Sequence, residues 1–266
     1  MRRFQLFEFE DLGWFPSLFR NLMTDFLRTV VEKFGLFDPA IPILRDALNA
    51  SGHRNIVDLA SGGGGAWNVL LPSLLQTHPN LRLTLTDLYP NQDALSNLAE
   101  DFDAVDFLDE PVDARDVPQE LAGIRTMFLS LHHLQSSDAV AVIRDAVDSG
   151  MPIAVFEAQQ RDVEHLIRFA LSPIMVLLIT PWIRPFRFSR LVWTYVIPVL
   201  PLVVGWDGVV SVLRTYDDDE RRAMADEADP NQTYQWRCAT ERHGQSRLSF
   251  LVGWPRKISV HEDKTV

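Results

Sequence analysis

The chain has 266 residues, with 36 Asp and Glu against 25 Lys and Arg, which gives a formal net charge of −11. Nucleic acids are bound through clustered Lys and Arg, so this balance argues against DNA or RNA as a partner. The single cysteine excludes an internal disulfide and fits a reducing compartment. Acids interrupt the N-terminal apolar residues from Glu8 onward, so no secretory signal is predicted and we expect a cytoplasmic protein.

The first fifty residues are predicted to be helical. Apolar residues recur at four-residue spacing over 18–30, which is typical of an amphipathic helix. A shorter helix over 43–49 follows two prolines and ends at Ser51 and Gly52. We therefore assign residues 1–52 to an N-terminal helical cap.

From residue 55 onward, short apolar strands alternate with helices. Strands are predicted over 55–59, 81–86, 105–108, 125–131 and 152–156, and helices over 66–76, 91–101 and 137–149. Such alternation is typical of βαβ units and a parallel sheet covered on both faces. A helix near 217–228 and a hairpin over 234–254, turning at Gly244, follow later. We assign 53–160 to a core domain, 206–256 to its C-terminal part and 257–266 to a polar tail.

A glycine-rich turn follows the first strand, in the order Asp58, Leu59, Ala60, Ser61 and then four glycines. Glycines let the backbone turn tightly and approach a ligand, and the next helix presents free amide groups. The turn lacks the lysine of a Walker loop, and its acid would repel the pyrophosphate of a dinucleotide. The same acid suits a ligand that carries an ammonium group.

This turn resembles the first motif of class I, Rossmann-like S-adenosylmethionine-dependent methyltransferases, an acid followed by G-x-G-x-G. Asp58, Gly62 and Gly64 match the motif, and Ala60 replaces its first glycine with the addition of one methyl group. The resemblance covers about 56–156 and the last hairpin. It implies an α/β fold with a mostly parallel sheet, a C-terminal antiparallel hairpin, N-terminal helices and an apolar helical insertion. It also implies S-adenosylmethionine as the cofactor.

Further candidate cofactor residues lie at the ends of the next strands. Asp87 ends the second strand, where related sites bind the ribose hydroxyls, and Leu88 would flank the adenine. In similar methyltransferases an acid after the third strand bonds the adenine amino group, and Asp109, Asp113 and Asp116 are candidates here, of which we choose Asp113. The predicted cofactor set is Asp58, Ala60, Ser61, Gly62, Gly64, Asp87, Leu88, Asp113, Ala114 and Ser130.

The candidate catalytic residues are His132, His133, Glu157 and Asp207. Either histidine is a candidate general base. The alternative is that one histidine has a structural role and the other is exposed to solvent. No third ligand lies near the pair in the sequence, so no metal site is predicted. Glu157 is a candidate base, substrate anchor or helix cap. Asp207 shares a predicted helix face with an arginine, where it would orient a nucleophile or form a structural pair.

Residues 161–205 form an apolar insertion interrupted by prolines. Its apolar runs are shorter than the roughly 20 residues that span a bilayer. Five arginines against two acids over 161–190, together with Trp182 and Trp193, suit peripheral contact with an anionic membrane. Three roles of the insertion remain open. It could form a lid over an apolar pocket, contact a membrane in this way, or pack internally or in a homo-oligomer interface.

We therefore expect methyl transfer from S-adenosylmethionine to a small apolar or lipid-like acceptor by direct in-line displacement. One alternative is a catalytically inactive, membrane-associated binding or scaffold protein that kept the fold. The other is a different reaction of the same cofactor, such as aminopropyl transfer or cyclisation. The acceptor atom is not predicted.

Overall fold

The computed structural model describes residues 1–243 and 246–256. The predicted turn at Gly244 and the predicted polar tail over 257–266 lie outside the described residues.

A seven-stranded sheet forms the centre of the molecule. Its strands are β1 (Asn55–Asp58), β2 (Arg82–Leu85), β3 (Val105–Phe107), β4 (Ile124–Phe128), β5 (Ile153–Glu157), β6 (Tyr234–His243) and β7 (Ser246–Pro255). The order across the sheet is β3-β2-β1-β4-β5-β7-β6. Strands β1 to β5 are parallel, whereas β7 is antiparallel to both β5 and β6. This sheet confirms the predicted fold, including its C-terminal hairpin.

Ten α-helices surround the sheet. They are α1 (Ser17–Phe34), α2 (Ala40–Ser51), α3 (Trp67–Leu75), α4 (Gln92–Asp101), α5 (Ser136–Asp148), α6 (Val163–Ala170), α7 (Ser172–Ile179), α8 (Phe188–Leu191), α9 (Val199–Arg214) and α10 (Asp218–Ala228) within the described residues. Short 3₁₀ segments cover Phe9–Asp11, Leu131–His133 and Thr180–Trp182, and a π-helical segment covers Val192–Val196.

The core is divided by the sheet. Successive residues of a strand point to opposite faces. Ile56 therefore packs with α2, α3 and α4, whereas Val57 packs with α5 and α10. A third cluster lies apart from these two, where apolar residues of α1 meet α7 and α9. Helix α1 thus joins the insertion to the rest of the molecule.

The sheet order places the ends of three strands around one crevice. Strand β1 lies between β2 and β4, with Asp58 in register with Leu85 on one side and Thr126 on the other. The connections leave β1 and β4 towards opposite halves of the sheet, and open α/β sheets bind their ligands in a crevice at such a point. The glycine-rich turn, Asp87 and the histidine pair all follow strands that end here.

The insertion consists of short helices that pack against α1. No single helix among the described residues has the length and apolar composition of a membrane span. Two pairs of consecutive helices reach that length and apolar composition together, but each pair is bent. The bend is 42° between Val163–Ala170 and Ser172–Trp182, and 80° between Phe188–Val196 and Val199–Arg214. Helix α9 runs without a break through residue 205, so the insertion and the C-terminal part of the core share one helix.

Candidate active site

The glycine-rich turn is tied directly to the end of β2. The Gly62 amide donates a hydrogen bond to Asp87 Oδ2 at 2.8 Å, and the Ser61 amide donates one to the Thr86 carbonyl at 2.9 Å. Gly62 and Gly64 have φ of 55° and 66°. These left-handed conformations favour glycine. The two predicted cofactor acids, Asp58 and Asp87, therefore lie on either side of one turn.

Ala60 adopts a φ of 54°, also in the left-handed region. Left-handed conformations cost residues with a Cβ roughly 1–2 kcal/mol. The first glycine of the family motif stands at this position, and its replacement by alanine is accommodated with backbone strain rather than with a change in the turn.

Asp58 is buried at the base of the turn. Its Oδ1 accepts a hydrogen bond of 2.6 Å from Thr126 Oγ1 on β4. Burial raises the pKa of Asp58 to about 6, although its hydrogen bonds oppose that shift. Because burial disfavours the charged form, a cationic group beside this carboxylate would stabilise it.

Asp87 uses both oxygens to hold backbone amides. Oδ2 accepts from Gly62 and Oδ1 accepts from the Tyr89 amide, each at 2.8 Å. A carboxylate oxygen has more than one lone pair, so each can accept a further hydrogen bond from a ribose hydroxyl. Leu88 beside it is exposed at the crevice.

The remaining predicted cofactor residues differ in what surrounds them. The carboxylate of Asp113 pairs with Arg115 at 2.7 Å, and Arg115 also pairs with Asp138. Ala114 packs against the core on the α5 side. Ser130 Oγ is buried and has no hydrogen-bond partner among the described residues, so it is free to bind a ligand at the end of β4. Asp113 instead has its partner within the protein.

Helix α1 covers the glycine-rich turn. A Cβ added to Gly63 would lie 2.4 Å from Thr24 Cγ2, and one added to Gly65 would lie 3.3 Å from Arg28. The Asn91 side-chain amide, which caps α4, donates to Asn21 Oδ1 at 3.4 Å. The N-terminal cap therefore closes over the predicted cofactor turn, and the absence of a side chain at Gly63 permits this approach.

Gly63→Ala is expected to destabilise the protein by about 1–3 kcal/mol, since the new methyl group would overlap Thr24 Cγ2. Thr24→Ser removes that methyl group and keeps the hydroxyl that donates to the Arg20 carbonyl. The double variant should recover most of the lost stability in urea unfolding, with a coupling energy above 0.5 kcal/mol. Additive effects of the two substitutions would show that α1 does not pack on the turn.

His132 is held by Glu157 from the neighbouring strand. Its Nδ1 lies 3.1 and 3.0 Å from Glu157 Oε1 and Oε2, and its backbone amide donates to Oε1 at 3.1 Å. Gln159 donates to Oε2 at 2.9 Å. Although burial raises it, the pKa of Glu157 is lowered overall by the charge and hydrogen bonds of His132. An ionised carboxylate only accepts, so Nδ1 of His132 is the donor towards Glu157, and Nε2 points away from that carboxylate.

The second histidine is held by the N-terminal segment, which we define as residues 3–12. His133 Nδ1 lies 2.7 Å from Asp11 Oδ1. Glu8 is buried against both rings, with Oε1 3.9 Å from His132 Nε2 and Oε2 3.7 Å from His133 Nε2. Sequence reasoning missed Glu8 and Asp11 because they lie more than a hundred positions from the histidines and carry no motif.

Arg214 fastens the N-terminal segment to the histidine turn. Its guanidinium pairs with Asp11 at 2.5 Å and donates to the carbonyls of His132 and His133 at 3.2 and 2.6 Å. The carboxylate of Asp207 accepts from the amides of Phe9 and Glu10 at 2.8 and 3.3 Å. Asp207 thus anchors the same segment, and Arg214 pairs with Asp11 and Glu8.

Several acids in this region titrate away from their usual range. Burial raises the pKa of Glu8 and of Glu10 to about 7, and that of Asp207 to about 6. Burial also acts on Asp11, but its pKa is lowered overall by the hydrogen bonds and charges of His133 and Arg214. Burial is the main cause of the raised values, and the charges of His133, Arg214 and Arg20 oppose it.

No family model and no curated protein sequence matches this chain. Among solved structures, the methyltransferase domain of bacterial CtHen1-CN aligns over 82% of this chain and 99% of that chain, with 14% identity and a TM-score of 0.51. An O-methyltransferase family protein from Burkholderia thailandensis aligns over 84% and 57%, with 17% identity and a TM-score of 0.44. Human N-acetylserotonin methyltransferase aligns over 80% and 51%, with 14% identity and a TM-score of 0.44.

The chain spans a little over half the length of the last two proteins, at 57% and 51%. At these identities the likeness establishes the fold. The chain has the class I methyltransferase fold, which confirms at the level of the fold the resemblance inferred from its glycine-rich turn. Activity has to be argued from the site, because one fold supports many chemistries.

Proposed function

We propose that this protein is an S-adenosylmethionine-dependent methyltransferase. The observation that carries the proposal is the pair of acids on the glycine-rich turn at the crevice of the sheet. Asp58 is buried below the turn, and Asp87 is bonded to Gly62 within it. Open α/β sheets bind their ligands at such a crevice.

The two acids match the two ends of the cofactor. The buried carboxylate of Asp58 suits the ammonium group of the methionine part, since an opposite charge offsets the cost of its burial. Asp87 offers acceptor oxygens to the ribose hydroxyls. Asp113 already pairs with Arg115, so we place cofactor recognition mainly on Asp58 and Asp87.

Methyl transfer on this scaffold proceeds by direct displacement. When bound, S-adenosylmethionine would supply a sulfonium methyl group, to which the acceptor atom would bond as the carbon–sulfur bond breaks and the sulfur keeps the electron pair. The protein mainly supplies position and a water-poor site. When the acceptor carries a proton, Nε2 of His132 takes it, and Glu157 holds the ring through Nδ1. Because Glu8 faces Nε2, the N-terminal segment has to shift to admit the acceptor.

The acceptor class is inferred from the insertion. Exposed apolar residues follow one face of α6 and α7 at spacings of three and four, and exposed aromatic residues follow them. Trp182 and Phe188 are 65% and 71% exposed. The face consists of Val163, Ile167, Leu171, Ile174 and Leu178. An apolar face of this extent on a helical insertion suits a lipid surface. We infer that the acceptor is apolar and reaches the site from a membrane.

The arginines of the insertion contribute less to lipid contact than their number indicates. Arg161 pairs with Asp217 and Glu220, and buried Arg190 pairs with Asp25. Arg168 and Arg187 also have carboxylate partners, Glu164 and Asp25. These internal pairs compensate most of the local positive charge. Membrane contact would therefore depend mainly on the apolar face.

Binding to neutral phosphatidylcholine vesicles is expected to survive high salt and to depend on the apolar face. Replacing Ile174 and Leu178 with glutamine should leave the protein in the supernatant after co-sedimentation, since it removes exposed apolar contact area. The control is Phe34→Ala, which removes an equally exposed apolar side chain at the end of α1. Equal pelleting of all three proteins would contradict a membrane role for this face.

The enzymatic proposal is tested with S-adenosylmethionine that carries a labelled methyl group and with a total lipid extract as the acceptor pool. We expect label in the organic phase together with S-adenosylhomocysteine, and product masses increased by a single methyl group. Aminopropyl transfer or cyclisation would leave other products of the cofactor. Cofactor binding with no turnover of any kind would favour a binding or scaffold protein.

A further inference from the structure

Three side chains around the histidine pair leave a gap between their polar atoms. One potential ligand atom from each of Glu8, His132 and His133 lies within 4.8 Å of the other two. The separations of 3.9 and 3.7 Å between the Glu8 oxygens and the Nε2 atoms are too long for hydrogen bonds. Two ligands of one tetrahedral metal ion, with bonds of about 2.0–2.2 Å, are about 3.4 Å apart. The three atoms thus enclose a space slightly larger than a metal ion requires.

Glu8 presents a carboxylate oxygen that the protein leaves unsatisfied. The residue is 2% exposed, and its Oε1 has no hydrogen-bond partner among the described residues. Arg214 Nη1 lies 3.3 Å away, but not in a hydrogen-bonding arrangement. Apart from its ion pair with Arg214 this oxygen has no hydrogen-bond partner among the described residues, so it can accept a bond from a ligand.

Both histidines are oriented as metal ligands usually are. Each Nδ1 faces a carboxylate, Glu157 for His132 and Asp11 for His133, and each Nε2 faces Glu8. Histidine ligands commonly donate their second ring hydrogen to a carboxylate, which fixes the tautomer and makes the free nitrogen a better ligand. This arrangement is present twice, on two adjacent residues.

The charges around the gap fit a divalent cation. The carboxylates of Glu8, Asp11 and Glu157 face the pair, and the guanidinium of Arg214 balances one of them. Beyond these groups, the carboxylate of Asp207 accepts from the amides of Phe9 and Glu10, and Arg20 donates to the Glu10 carbonyl. Three carboxylates and one guanidinium therefore surround the histidine pair, a lining that suits a cation.

We propose that Glu8, His132 Nε2 and His133 Nε2 bind a divalent transition-metal ion. Two imidazoles and one carboxylate are a ligand set of zinc enzymes and of non-haem iron sites, in which open positions accept water or substrate oxygen. The site goes beyond the proposed function, because metal binding and methyl transfer can be measured separately. With the metal bound, Nε2 of His132 is a ligand and not a base, so an acceptor oxygen would be activated at the metal.

The test uses the full chain after removal of bound metal with a chelator, and Co²⁺ as the probe. We expect one Co²⁺ per chain, with a visible absorption spectrum that Zn²⁺ abolishes, and a higher thermal midpoint when the metal is present. His133→Ala and Glu8→Gln should each weaken Co²⁺ binding by about 100-fold or more. Asp11→Asn should weaken it by about 10–100-fold, because it orients His133 without binding the metal.

Two variants serve as controls. His78→Ala removes a histidine that bonds Thr77 and Asn49 elsewhere on the surface, and Glu10→Gln removes a neighbouring acid outside the triad. Both should bind Co²⁺ as the unaltered protein does. The partly exposed His133 makes its variant the one most compatible with folding, which circular dichroism checks. Failure of the unaltered chain to bind Co²⁺, or unchanged binding by folded His133→Ala and Glu8→Gln, would overturn the proposal whether or not the protein transfers methyl groups.

Discussion

Replacing Asp58 with asparagine is expected to abolish measurable binding of S-adenosylmethionine and to stabilise the unliganded protein at neutral pH. The asparagine carbonyl can still accept the hydrogen bond from Thr126, so the turn should keep its shape. The substitution removes the charge that would balance the cofactor's ammonium group. It also removes a buried charge that the unliganded protein compensates poorly.

The stabilising effect of Asp58→Asn should depend on pH. The pKa of Asp58 is raised from 3.8 to about 6 on folding, so its contribution to stability is full below the unfolded value and is lost as the pH rises through about 6. The variant should therefore be more stable than the parent by roughly 2–3 kcal/mol at pH 7.5 and by less at pH 4.5, since each unit of pKa corresponds to about 1.4 kcal/mol.

Urea unfolding at both pH values, with isothermal calorimetry for binding, checks this prediction. The matched control is Asp106→Asn, an exposed acid on β3 that should change neither stability nor binding. Retained affinity within threefold, or a loss of stability in Asp58→Asn at pH 7.5, would contradict the role that we give to Asp58.

His132→Ala is expected to lower methyl transfer by about 10²–10⁴-fold while leaving the affinity for S-adenosylmethionine within threefold of the parent. The imidazole lies at the end of β4 beside the crevice, whereas the cofactor acids follow β1 and β2. Its loss should therefore affect the reaction and not the binding of the cofactor. The measurement is the rate of label transfer into lipid extract with calorimetry in parallel.

A matched variant distinguishes the loss of catalysis in His132→Ala from the general effect of removing a buried histidine. His165 is equally buried and also bonds a carboxylate, Asp162, but it lies on α6 in the insertion. His165→Ala should cost comparable stability and leave most of the activity. Equal losses of activity in both variants would mean that His132 acts only through the fold.

The sheet and the glycine-rich turn could be predicted from sequence because their signals are local. Buried strands appear in the sequence as short apolar runs, and helices as apolar residues at spacings of three and four. Neither pattern depends on distant parts of the chain. The positions of Asp58 and Asp87 in the fold were predicted in the same way, since each lies at the end of a strand, and parallel strands end at one edge. The predicted strand and helix limits agree with the structure to within a few residues.

The contacts of the N-terminal segment could not be predicted in this way. Glu8 and Asp11 reach the histidines only because Asp207 and Arg214, two hundred positions later, hold the segment in place. The pairing of Arg190 with Asp25 likewise depends on how the insertion docks on α1. Each of these residues resembles an ordinary surface charge in the sequence, and only tertiary packing assigns its partner.

Calorimetric titration of S-adenosylmethionine into the unaltered protein tests the central claim most directly. We predict saturable binding of one cofactor per chain, accompanied by a rise in the thermal midpoint and lost when Asp87 is replaced by alanine. No heat of binding together with an unchanged thermal midpoint would contradict the account, because the crevice beside Asp58 and Asp87 would then hold no such ligand.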